Sequence, residues 1–224
     1  MSAGNAAATA ADALLTTLID AAAAQWGCAA EQVQHRNGGF IGPKEEIFTL
    51  AELAAVAGGG ESLTVKGTFE PPEARTTTAY ITQAAEVEVD PESGEVTILR
   101  IISSHDVGLI LNPLGHQGQI NGGVIQGIGF AMTEDSPLID GHISTLSMGD
   151  FKLVNIGDIP KLETILIEDD AGPVPFNGKA IGELPNVPIA AAIANAVEDA
   201  VGVRIADLPI TAEKVFAALQ AKGQ

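Results

Sequence analysis

Apolar residues at Leu14, Leu15, Leu18, Ile19 and Ala22 recur at the spacing of one helical face, so the alanine-rich stretch from Ala6 to Trp26 predicts a long helix ending near Gly27. Thr49 followed by Glu52 has the form of a capping box and predicts a short helix to about Val56, ended by Gly58-Gly59-Gly60. Residues 57–78 read as a linker, with one edge strand around Leu63 to Phe69 and an extended connection at Pro71-Pro72. The period then changes. Ala85, Val87 and Val89 alternate with Glu86 and Glu88, a turn at Asp90 to Gly94 follows, and Val96 to Ile101 returns, which predicts a strand hairpin. Residues 118–133 regain helical spacing and Lys161 to Glu168 reads as a further strand. Asn186 is expected to cap a helix that has Pro188 in its first turn and stops at Gly202, and Thr211 to open a last helix to about Ala221. The class is α+β, and the linker near 57–78 allows two subdomains.

Composition narrows the choice of function. The 224 residues carry 29 Asp and Glu against 11 Lys and Arg, a formal charge of −18. Such a surface repels phosphate backbones and anionic lipid, so neither nucleic acid nor a membrane is expected as a partner. The lone Cys28 cannot form an internal disulfide or hold an iron–sulfur cluster. The early apolar stretch is broken by Thr9, Asp12, Thr16, Thr17 and Asp20 and lacks the basic start of a secretory signal. No uninterrupted apolar run approaches the roughly 18 residues of a membrane span. A cytoplasmic location is expected.

Three segments could carry chemistry. From Gly118 to Gly129 there are five glycines in twelve positions, and Gln119 and Gln126 fall on nearly one helix face beside them. The glycines fit tight packing against another element, or a platform where a flat polar heterocycle is held by the Gln amides. Phe176 to Pro185 is a glycine-bracketed loop with one carboxylate, Glu183, which either complements the positive end of the following helix or, in an apolar pocket, acts as a general base. Ser2, Gly4 and Asn5 open the first helix, as an ordinary cap or as an anion site. His105 and His116 have no second ligand at metal spacing and read as structural residues; no side-chain metal site is expected. Hydrolase, P-loop and dinucleotide-binding motifs are absent.

Taken together these segments resemble the molybdenum hydroxylases, the xanthine dehydrogenase and aldehyde oxidoreductase family, in the carboxy-terminal part of the molybdopterin-binding subunit. The matching pieces are Gly4-Asn5-Ala6, Asp106-Val107-Gly108 with Asn112-Pro113, Gly118 to Gly129, Phe151-Lys152, Gly178 to Glu183, and Leu208 to Val215. In this order they span nearly the whole chain.

The resemblance implies that Glu183 matches the family's active-site glutamate, which faces the molybdenum and takes a proton from a metal-bound hydroxide as that oxygen attacks an electron-poor carbon, while a hydride passes to a sulfido ligand. One carboxylate suffices for such general base chemistry on a nucleophile acidified by the metal. It further implies that Gln119 binds the pterin, with Asn112 also assigned to the cofactor. Lys179, Ala180, Ile181 and Gly182 lie against it through their backbone, and Ser2, Gly4 and Asn5 sit near its pyrophosphate. The cofactor would be molybdopterin cytosine dinucleotide, with molybdenum held by the dithiolene. The substrate would be an N-heterocycle or aldehyde. [2Fe-2S] clusters and FAD are expected on partner chains, an iron–sulfur subunit and a FAD subunit.

Two departures stand out. The chain starts where the family's large subunit is past its midpoint, so a further molybdopterin-binding chain is expected to supply the first half of that domain. Leu184 stands where the family usually has Pro after the glutamate. A non-catalytic assembly subunit that kept the fold is the alternative, and loss of turnover on changing Glu183 separates the two.

Overall fold

The computed structural model describes residues 2–71 and 78–223. They divide into two compact units, residues 1–75 and 76–224. Residues 72–77 of the predicted linker lie outside the described residues.

In the first unit α1 (Ser2–Trp26) begins earlier than the apolar spacing indicates, so Ser2 to Asn5 form its first turn rather than a cap in front of it. Leu18, Ala22 and Ala23 of α1 share a buried cluster with Val33, Phe40 and Leu53. Its length and hydropathy of 1.3 would suit a bilayer span, a test that core helices also meet. A three-stranded antiparallel sheet, β1 (Gln34–Arg36), β2 (Gly39–Ile41) and β3 (Ile47–Thr49), follows. Its strands are too short to leave a period in the sequence. The predicted capping box forms: Thr49 Oγ1 accepts from the Glu52 N–H, Glu52 Oε2 accepts from the Thr49 N–H at 2.8 Å, and α2 runs Leu50–Ala57.

The edge strand expected at Leu63 to Phe69 does not form. Leu63, Val65, Gly67 and Phe69 are half-buried and alternate with exposed neighbours, as in an extended chain, but their partner is a helix. A Cβ on Gly67 would stand 2.2 Å from the Ala6 carbonyl oxygen, so the segment lies against α1 instead of joining a ladder.

The second unit is built on a three-stranded sheet of order β4 (Ile81–Val89), β5 (Val96–Gly108), β8 (Lys161–Glu168). β4 and β5 are the predicted hairpin, and β5 pairs with β8 in parallel. The connection runs through α3 (Pro113–Met132), the two-residue strands β6 (Leu138–Ile139) and β7 (His142–Ile143), and α4 (Met148–Phe151). Ile101 and Val107 of β5 pack with Ile120, Val124 and Ile128 of α3 and with Ile189, Ile193 and Val197 of α5 (Ile189–Val201). Thr211 caps α6 (Ala212–Lys222) as expected.

The start of α5 differs from the prediction. Leu184–Asn186 form a separate 3-10 turn, and α5 begins at Ile189 with Pro188 as its N-cap. Pro185 is the second residue of the 3-10 turn and Pro188 lacks the N–H to continue it, so Asn186 is used up before the helix begins.

Candidate functional site

The site grows from the end of β5. The loop after β8 returns to it: the Leu109 N–H donates to the Asn177 carbonyl and the Lys179 N–H to the Val107 carbonyl, each at 2.9 Å. Lys179 Nζ lies 2.7 Å from Asp106 Oδ2 and 3.3 Å from Asp169 Oδ2, with the Lys179 and Asp106 side chains only 5% and 12% exposed. Burial by itself would raise the Asp106 carboxyl. Hydrogen bonds from Lys179 and the Gly108 N–H, with the lysine charge, outweigh it and hold the carboxyl below its ordinary value. The bond to Asp106 chiefly raises Lys179 above its own. The lysine therefore clamps the loop, and its head group is already engaged.

Beyond the clamp Ile181 is buried, Gly182 adopts φ +44°, and Ala180, Gly182 and Glu183 are exposed. Among the described residues the N–H groups of Ala180, Ile181, Gly182 and Glu183 have no partner within the chain. The Glu183 carbonyl accepts from the Asn186 N–H at 3.1 Å, while its side chain makes no cap bond. The carboxylate is thus not spent on the following turn. Nor is it enclosed by an apolar pocket of this chain.

The glycines of α3 divide between the two readings of the sequence. A Cβ on Gly123 would meet Pro185 Cβ at 2.9 Å, and one on Gly127 would meet Ile189 Cβ at 2.8 Å, so these two exist for close packing. Gly118 and Gly122 have nothing within 4 Å of that point. Gln119, exposed between them, stands one helical turn, about 6 Å, before Gly123 on the stripe that meets Pro185. Glu183 precedes Pro185 by two positions. Gln126 is exposed as well. Asn112 caps α3, its Oδ1 accepting from the Gly115 N–H at 2.9 Å, a structural duty the sequence reading did not give it. Ser2, Gly4 and Asn5 belong to the first unit, in the first turn of α1.

A buried polar relay supports the turn from beneath. Gln83 Nε2 donates to the Pro185 carbonyl and to Ser103 Oγ, both at 2.8 Å, and Ser103 Oγ lies 2.6 Å from His105 Nε2. Burial lowers the His105 pKa, which favours the neutral ring. Gln83 Oε1 is buried without a partner. Sequence reasoning missed the relay, although Gln83, Ser103 and His105 interrupt inward-facing registers otherwise filled by Ile81, Ala85, Ile101 and Val107.

The donors suit a ring system gripped by hydrogen bonds: an amide, a row of free N–H groups, and open space over two glycines. Among the described residues no group of three or more His, Cys, Asp or Glu is placed to hold a metal ion directly. A cofactor that brings its own metal ligands fits this set.

Residues 1–160 match the family model of the molybdopterin cofactor-binding domain. The chain belongs to that family. The turn carrying Glu183 lies beyond the matched stretch. The chain is 36% identical over 185 residues to the xanthine dehydrogenase molybdenum-binding subunit of Escherichia coli O157:H7, covering 78% of this chain and 24% of that one. Among solved structures, aldehyde oxidoreductase from Desulfovibrio gigas matches 80% of this chain and 21% of its own at 31% identity and a TM-score of 0.68. The Cu,Mo-CO dehydrogenase matches 99% of this chain and 29% of its own with a TM-score of 0.82, and at 22% identity it shows the fold alone. This molybdopterin-binding chain thus spans about a quarter of the length of its relatives.

Proposed function

We propose that the chain forms one wall of the molybdopterin site in a multi-subunit molybdenum hydroxylase acting on an N-heterocycle or aldehyde carbon, with Glu183 as the general base. The observation that supports this reading is the exposed turn at 180–183, with its four unpartnered N–H groups and its exposed carboxylate, just before Pro185, which packs on Gly123 of α3.

When bound, the cofactor supplies two-electron oxidation and the delivery of a water-derived oxygen to carbon. The residues of this chain then have separate tasks. The Gln119 amide donates and accepts at the edge of the pterin, and Gly118 and Gly122 let its flat face approach the α3 backbone. The N–H groups of Ala180 to Glu183 donate to its heteroatoms. Glu183 takes a proton at a carboxylate oxygen as the new carbon–oxygen bond forms. The cofactor is expected in its cytosine dinucleotide form. Asn112 serves this wall by fixing the start of α3, and Lys179 by clamping the loop. The rest of the molybdenum-binding subunit, an iron–sulfur subunit and a FAD subunit complete the electron path, in the cytoplasm.

The test is Glu183→Gln in the complex purified from its native source. General base catalysis contributes about 10²–10⁴-fold, so turnover should fall by that factor while molybdenum and pterin content stay unchanged. Undiminished turnover would refute the assignment.

A further inference from the structure

The polar relay beneath the turn has a direction, because its hydrogens can be followed one by one. Gln83 Nε2 carries two, and both are spent, one on the Pro185 carbonyl and one on Ser103 Oγ, each at 2.8 Å. Ser103 Oγ thus accepts from the amide and has one hydrogen of its own to give. Its remaining neighbour is His105 Nε2 at 2.6 Å, and it makes no other side-chain hydrogen bond among the described residues. Ser103 is 1% exposed, so water does not take that hydrogen. The bond therefore runs from Ser103 to Nε2, and the neutral ring carries its own hydrogen on Nδ1. The opposite tautomer would aim two donors at Ser103 Oγ and bury the serine hydrogen without an acceptor. His105 Nδ1 is not among the buried atoms that lack a partner, so a hydrogen there is not stranded.

Gln83 Oε1, buried without a partner, gives the relay a second state. A proton on Nε2 makes the ring a donor to Ser103 Oγ, so the serine hydrogen must turn toward Gln83, where it meets the hydrogens of the amide. A half-turn of that amide relieves the conflict, since Oε1 then accepts the serine hydrogen. The same half-turn puts an acceptor against the Pro185 carbonyl, which loses its donor. The Lys179–Asp106 clamp lies outside this chain of bonds, so the loop before Glu183 is held in both states.

We infer that Ser103 and His105 are positioning residues for the turn that follows Glu183, and that the proton on His105 Nε2 selects between a held and a released Pro185 carbonyl. Its bearing on catalysis rests on the function proposed above, since Glu183 stands two positions before Pro185. The surroundings of the ring are nearly free of charge. β4 and β8 place Ile81 and Leu166 beside it. α3 brings one titratable group, His116 in its first turn, α5 brings Glu198 and Asp199, exposed in its last turn, and Glu183 itself is exposed. Asp106 follows on the opposite face of β5, bound to Lys179. Burial is what shifts the ring, to below its ordinary 6.5. The held state is therefore complete above 6.5 and is lost as pH falls through the lower value kept by the fold.

The experiment uses the complex purified from its native source and reads hydrogen exchange at the Asn186 and Val187 amides, which close the 3-10 turn on the Glu183 and Leu184 carbonyls. Rates are corrected for the intrinsic effect of pH. In wild type the protection of both amides should fall about tenfold as pH drops below 6.5. His105→Gln offers an amide oxygen near the Nε2 position that does not titrate, so it should keep the protection throughout. Ser103→Ala cuts the relay and should show one level of protection at every pH. In nuclear magnetic resonance of the complex with nitrogen-labelled histidine, the His105 signal, assigned by its loss in His105→Gln, should show an unprotonated Nε2 above 6.5. A protonated Nε2 there, flat protection in wild type, or an acid transition that survives in Ser103→Ala would each overturn the inference. Glu183→Gln should leave the exchange profile unchanged. Full turnover in that variant beside an intact acid transition would uphold the relay and sink the proposed reaction.

Discussion

Adding one methyl group at Gly123 tests whether close packing of α3 sets the position of Glu183. An alanine Cβ there would lie 2.9 Å from Pro185 Cβ and 3.2 and 3.3 Å from its Cγ and Cδ. A comfortable carbon–carbon contact is about 3.5–4.0 Å, so helix and turn must part by at least about 0.6 Å, and a proline ring has no rotamer with which to yield. Alanine returns about 1 kcal/mol of helix propensity, against about 1–3 kcal/mol for overpacking, leaving a net loss near 1 kcal/mol. In the purified complex, Gly123→Ala should speed amide exchange along residues 183–189 roughly fivefold. Since misplacement by about 1 Å can cost roughly 10²-fold in rate, turnover should fall about tenfold. Gly118→Ala and Gly122→Ala are the matched comparison. With nothing within 4 Å of either Cβ, each should strengthen α3 by about 1 kcal/mol yet lower the pterin content of the complex. Full turnover and slow exchange in Gly123→Ala would refute the positioning argument. Normal pterin content in Gly118→Ala would refute the approach of the cofactor to α3.

Two further predictions follow from the supports of the turn. Gln83→Leu removes the donor to the buried Pro185 carbonyl and should cost about 1–3 kcal/mol, read as a lower denaturation midpoint of the complex with an unchanged slope. Lys179→Met leaves Asp106 without its cation and should loosen residues 174–183 to limited proteolysis with loss of turnover. The pH dependence of the loop has two limits. The Asp106 carboxyl is depressed, so its stabilisation is complete above the ordinary value of 3.8 and is lost as pH falls through the lower value held in the fold. The Lys179 ammonium is raised, so its share is complete below 10.5 and is lost as pH rises through the raised value. Proteolytic protection in wild type should therefore be flat between these limits and weaken outside them, whereas Lys179→Met should lose the protection that the pair adds within them.

The hairpin, the glycine helix, the Thr49 capping box and the last helix were legible because each depends on residues close in sequence. Thr49 and Glu52 satisfy one another within a turn, and the alternation from Ala85 to Val89 needs only the pleat of the strand. Leu63 to Phe69 had the right period and the wrong partner, since alternation records which side is buried and not whether a strand or a helix covers it. The site residues stood out by type, but not their duties. Nothing near Lys179 in sequence announces Asp106, and nothing near Asn112 distinguishes a cap from a cofactor contact until the Gly115 N–H is seen to be its partner. The glycines of α3 likewise looked equivalent along the chain, and only the packed neighbours separate Gly123 and Gly127 from Gly118 and Gly122.

The most direct test of the account is a crystal or cryo-electron microscopy map of the purified complex with its cofactor in place. The account predicts one molybdopterin in contact with both the Gln119 amide and the N–H row at 180–183, with the Glu183 carboxylate facing its metal. A pterin bound elsewhere, with Gln119 and Glu183 left in solvent, would contradict it.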